Sequence, residues 1–142
     1  GFLHWGHDIS PEENQYQANL NFTISYKKLF DFIGKEKLLK IKDQKLDRRF
    51  AMLVLKESKE NNPGEPLLLH EEPIYLDDKI IGKTTSGNYS FNYNKNLSFG
   101  YINSEFSNDQ LIHKNLYIEI EKKKYPVELL TKPLKLNKFK NI

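Results

Sequence analysis

The spacing of apolar residues changes character part-way along the chain. Near the start, Leu20, Phe22, Ile24 and Tyr26 alternate with Asn21, Thr23 and Ser25, which predicts a strand over 20–26. Ile33, Leu38 and Ile41 then fall close to helical spacing, with Gly34 placed to cap and Glu36 in the first turn, so a helix is expected over 35–43. RRFAMLVLK follows, apolar at every position from Phe50 to Leu55, the pattern of a strand covered on both faces. ESKENNPGEP reads as a polar loop.

From Glu72 onward short strands are punctuated by turns. PIYL and KIIGKTTS flank Asp77-Asp78 and read as a hairpin, because Asp tolerates the positive φ that a two-residue turn demands. NLSFGYI, NLYIEIE and YPVELLT supply further strands, the last two joined by a lysine turn at Lys122–Lys124. Five or six short antiparallel strands favour a small closed barrel, which leaves no exposed edge. The fold class expected is therefore mainly β, a small antiparallel closed barrel preceded by a short α+β segment. The boundary is placed at 44, with 1–44 and 45–142 as the two parts. The first part is too short to build a core and must pack on something else. The opening stretch GFLHWGHDIS is accordingly expected to be interior to a longer protein.

Composition narrows the chemistry. With 38% hydrophobic and 13% aromatic residues the chain should fold, and with no cysteine it can offer neither a disulfide nor a thiolate. No apolar run reaches the roughly 20 residues of a membrane span, and no segment reads as a signal peptide, so a soluble cytoplasmic protein without a membrane partner is expected. The net charge of +3 is dispersed rather than gathered in a basic block, which argues against a nucleic-acid partner. The tail from Lys132 reads as a frayed terminus.

Candidate chemistry is sparse. His4 and His7 form an H-x-x-H pair without an evident third ligand, so no metal is expected and partly buried histidines beside Trp5 are the simpler reading. No catalytic constellation is legible. Ser10-Pro11-Glu12-Glu13 carries the spacing of a capped helical turn. Of 22 basic residues only Arg48 and Arg49 are arginine, at the entrance to the buried strand. Their planar fork suits bidentate carboxylate binding, and a local salt bridge to Asp47 or Glu36 is the alternative. Gly82 and Gly87 sit in strand-like settings where glycine marks a bulge or barrel corner.

In combination, WGHDIS, DFIGKEKLLK, RRFAMLVL, EPIYLDDKIIGKTTSGNYS, LSFGYI and YPVELLTKPL resemble the C-terminal region of the glycine-cleavage aminomethyltransferase fold, in the version carried by dimethylglycine and sarcosine dehydrogenases. The resemblance implies that 1–44 ends a folate-binding domain and that 45–142 is the C-terminal β-barrel. It implies tetrahydrofolate as cofactor, FAD in a further N-terminal domain, and a methylated glycine as small-molecule substrate. The partners implied are N-terminal flavin and folate domains of the same or a partner chain. By the same resemblance Arg48 faces the glutamyl carboxylate of the folate, Trp5 lies near the pterin, and Gln17 stands where the family has a pterin-holding glutamate. The expected function is that of a module in a larger enzyme passing a one-carbon unit to tetrahydrofolate, inactive alone. A non-catalytic folate-fold subunit or regulator is the rival reading. A barrel stacking single-stranded nucleic acid on Tyr89, Phe91 and Tyr93 is the third.

Overall fold

Among the described residues, the strands between Arg48 and Leu130 form one closed sheet. The computed structural model describes residues 2–56, 65–103 and 105–132. Six strands, β1 (Arg48–Leu55), β2 (Pro73–Leu76), β3 (Lys79–Ser90), β4 (Lys95–Asn103), β5 (Leu116–Ile120) and β6 (Lys123–Leu130), close in the order β1-β4-β3-β2-β5-β6, with β6 returning to β1. All neighbours are antiparallel. The fold is thus mainly β, as the strand punctuation predicted.

Two turns set the register of the hairpins. Asp77 takes φ 52°, as expected for the β2–β3 connection. Between β5 and β6 the positive-φ residues are Glu121 and Lys122, and Lys123 and Lys124 already pair with Ile120 and Glu119. The turn therefore lies one residue earlier than the lysine run suggested, with both central residues at positive φ, the two-residue form whose twist matches the flanking strands.

Alternate side chains of the strands fill the interior. Leu53 and Leu55 of β1, Ile74, Ile81, Ile102 and Ile118 are almost wholly buried. A one-turn helix α2 (Asn108–Leu111), for which the sequence held no clear signal, adds the fully buried Leu111 to the same cluster. Two register shifts interrupt β3: Ile81 is the extra residue opposite β2, and Thr85 the extra residue opposite β4. Gly82 follows the first bulge, and a Cβ there would overlap the Tyr101 carbonyl oxygen across the sheet, so close strand approach rather than positive φ explains this glycine.

Before the barrel, helix α1 (Lys35–Ile41) forms as expected with Gly34 at its N-cap, yet none of its residues is fully buried. The strand expected over 20–26 does not form. Residues Asn21–Thr23 make a single 3₁₀ turn and Phe22 is exposed. The alternation there is real, but a strand needs a neighbour to bond its backbone, and the closed barrel presents no free edge. Leu29, Phe30, Ile33 and Leu39 of the same segment are also exposed. The polar loop read at 57–66 and the tail from Lys132 lie largely outside the described residues.

Candidate functional site

The segment before the barrel is held against β1, β3 and β4 by three local caps. In the first, the His4 carbonyl accepts the Asp8 N–H at 2.8 Å and Gly6 adopts φ +89°, which turns the Asp8 side chain inward. Asp8 is only 2% exposed. Its Oδ1 accepts the hydroxyls of Thr85 at 2.5 Å and Ser86 at 2.7 Å, its Oδ2 accepts the His4 N–H at 2.8 Å, and its carbonyl accepts the Tyr101 hydroxyl at 2.9 Å. The Thr85 bulge is what aims a strand hydroxyl at this loop. Burial, and secondarily the Glu13 carboxylate, push the Tyr101 phenol well above its ordinary range against the opposing pull of Arg48, so it stays a donor.

In the second cap, Ser10 and Glu13 close as their spacing predicts: Glu13 Oε2 accepts the Ser10 N–H at 2.8 Å and its hydroxyl at 2.7 Å. The other oxygen, Oε1, accepts from Arg48 Nη2 at 2.8 Å. The partner of Arg48 is thus Glu13, and not Asp47 or Glu36 through an ion pair; the Asp47 carboxylate instead accepts the Arg48 backbone N–H at 2.8 Å. The guanidinium lies 5.4 Å from the centre of the Tyr101 ring, and its Nε is buried with no hydrogen-bond partner among the described residues.

The third cap contains Gln17. Its Oε1 accepts the Asn14 N–H at 2.9 Å, its Nε2 donates to Asp47 Oδ1 at 2.7 Å, and its carbonyl accepts the Phe50 N–H at 2.7 Å. That amide is the main reason the Asp47 carboxyl is held below the usual carboxylate range, ahead of the Arg48 backbone N–H. Gln17 through its side-chain amide and Arg48 through its backbone N–H therefore share the Asp47 carboxylate, while the Arg48 guanidinium is engaged with Glu13. Trp5 sits apart on the Asp8 loop, 65% exposed, its backbone bridged to Ile9.

Other sequence candidates resolve differently. His4 and His7 are exposed rather than partly buried, and their rings stack at 4.5 Å. Among the described residues no group of three or more ligating side chains could hold a metal ion, and no helix is long and apolar enough to cross a membrane. Tyr89 and Phe91 pack edge to face at 5.1 Å. Asp8, Glu13 and Tyr101 were not legible as site residues. Only Glu13 carried a signal, as the acid of the capping motif.

The barrel and its cap match known proteins. The family model of the glycine cleavage T-protein C-terminal barrel domain covers residues 48–135. The chain belongs to this family. It is 33% identical over 135 residues to the mitochondrial dimethylglycine dehydrogenase of Rattus norvegicus, spanning 95% of this chain and 15% of that protein. It is 31% identical over 129 residues to an aminomethyltransferase of Listeria welshimeri, 91% of this chain and 33% of that one. A crystal structure of glycine cleavage system aminomethyltransferase T from Bartonella henselae superposes with a TM-score of 0.73 at 17% identity, covering 93% of this chain and 35% of that chain. The chain thus spans between 15% and 35% of the length of these proteins.

Proposed function

We propose that this chain acts as the C-terminal module of a folate-dependent enzyme that removes N-methyl groups from a methylated glycine, of the dimethylglycine or sarcosine dehydrogenase kind. In this reading residues 1–44 end the folate-binding domain and the barrel closes over it. Flavin oxidation belongs to another domain, and bound tetrahydrofolate supplies the acceptor for the one-carbon unit. The module's own residues orient the folate and exclude water, so the isolated chain does not turn over.

The observation that carries the folate part is Arg48. It is one of two arginines in a chain otherwise supplied with lysine, its guanidinium lies 5.4 Å from the centre of the Tyr101 ring, and its buried Nε–H has no acceptor among the described residues. A carboxylate is the complement of such a group. The exposed apolar side chains of Leu29, Phe30 and Ile33 support the existence of a covering domain, since large apolar side chains left uncovered close together in sequence fit an interaction face. Replacing Arg48 with Lys in the full-length protein should weaken tetrahydrofolate by about 1–3 kcal/mol, the scale of a charged hydrogen-bond pair. Unchanged affinity by calorimetry would remove Arg48 from the site.

One observation favours the second reading, a non-catalytic folate-fold subunit or regulator. Both polar ends of the Gln17 amide are already bonded within the chain. A pterin contact at Gln17 requires that amide to leave Asn14 or Asp47. A full-length protein that oxidises no N-methylglycine, whether or not it binds tetrahydrofolate, would establish it.

A further inference from the structure

We propose that Glu13 is a built-in competitor for the carboxylate that Arg48 takes, so that ligand binding at Arg48 requires displacement of an internal acid. The inference rests on the folate reading above and adds to it a residue that controls the site. Glu13 does not reach Arg48 by chance of rotamer. The Ser10 N–H and hydroxyl, at 2.8 and 2.7 Å, fix Oε2 and leave Oε1 aimed at the guanidinium. The Glu13 side chain is only 9% exposed and that of Arg48 33%, so the pair is shielded on one side and open on the other.

The pairing is also incomplete. Glu13 offers Arg48 one oxygen, at 2.8 Å from Nη2, while Nε is buried and without a hydrogen-bond partner among the described residues. Nε and Nη2 share one edge of the guanidinium, the edge that a carboxylate bridges with two parallel bonds. A carboxylate that takes the place of Glu13 can therefore make two bonds where Glu13 makes one, with the Tyr101 ring centre 5.4 Å from the guanidinium. A small monovalent anion meets only a neutralised pair. The arrangement selects a two-pronged acid and lowers its affinity by the strength of the internal contact.

The test uses the full-length protein and N-acetyl-L-glutamate as probe, titrated calorimetrically at low ionic strength. Glu13→Gln keeps an oxygen for Ser10 but removes the competing charge, and should tighten the probe by about tenfold or more. In the double variant Glu13→Gln/Arg48→Gln that gain should vanish. No gain in the single variant, or a gain that survives in the double variant, overturns the proposal. Should Glu13→Gln fail to fold, Glu13→Asp withdraws the acid by one methylene and should give a smaller gain of the same sign; no gain there overturns it equally. Tetrahydrofolate titrated in parallel separates the two readings. A probe gain without folate binding retains the Glu13 competitor and discards the folate site, whereas folate binding indifferent to Glu13→Gln does the reverse.

Discussion

Converting Asp8 to Asn should detach the N-terminal loop from the barrel without dismantling the barrel. The carboxylate receives three hydrogen bonds in a site 2% exposed: the Thr85 and Ser86 hydroxyls on Oδ1 and the His4 N–H on Oδ2. Loss of the charge weakens each by about 1 kcal/mol, the difference between charged and neutral hydrogen bonds. The amide oxygen can keep the His4 N–H while its NH₂ meets the Thr85 and Ser86 hydroxyls, which must turn to accept and give up their bonds as donors, a further cost of about 1 kcal/mol. Relief of carboxylate burial offsets part of this. The net expectation is about 2–4 kcal/mol against the docked loop. Because the loop can open while the sheet stays closed, the readout is native-state hydrogen exchange. The Asp8 amide, bonded to the His4 carbonyl at 2.8 Å, should exchange about 30- to 1000-fold faster, at tenfold per 1.4 kcal/mol, while amides at the centre of β1 change far less. Acceleration of the Asp8 amide below about threefold would refute the assignment of Asp8 as the anchor.

Gly82→Ala places a Cβ on the Tyr101 carbonyl oxygen, a backbone atom in a paired strand that cannot move aside, and should cost more than about 3 kcal/mol in urea denaturation. Asp47 has a depressed folded-state pKa, so its contribution to stability is present above the ordinary carboxylate value near 3.8 and is lost as pH falls through the folded value; Gln17→Leu, which removes the main cause, should flatten this acid limb of the stability profile. Gln17→Glu sets a second carboxylate against Asp47 where the amide now donates at 2.7 Å. With Asp47 largely solvated the cost at neutral pH should be about 1–2 kcal/mol. The new acid's raised pKa then makes stability rise as pH falls from neutral toward 5, a range in which the Asp47 contribution of the parent is constant, and thermal melts across that range check it.

The barrel was legible because its information is local. Alternation in β5 and β6, the continuous apolar run of β1 and the Asp77 turn each act over a few residues, and closure follows from having strands without a free edge. The same alternation misled at 20–26, since periodicity records which face a strand would show but not whether a partner strand exists. The site was half legible for the opposite reason. Arg48 stood out by its rarity, but its acid lies 35 residues away and the hydroxyls that hold Asp8 lie 77 and 78 away, distances over which no spacing rule operates. Gln17 was read as a ligand contact from resemblance, while its bonds to Asn14 and Asp47 exist only once the third cap has closed.

The most direct test of the account is the fate of the one-carbon unit. The full-length protein, given dimethylglycine or sarcosine and an electron acceptor to reoxidise its flavin, should release formaldehyde when tetrahydrofolate is absent and pass the carbon to the folate when it is present, with free formaldehyde falling in proportion; Arg48→Lys should restore part of the release at a fixed folate concentration. Equal formaldehyde with and without tetrahydrofolate would contradict the assignment of this barrel and its cap to a folate site.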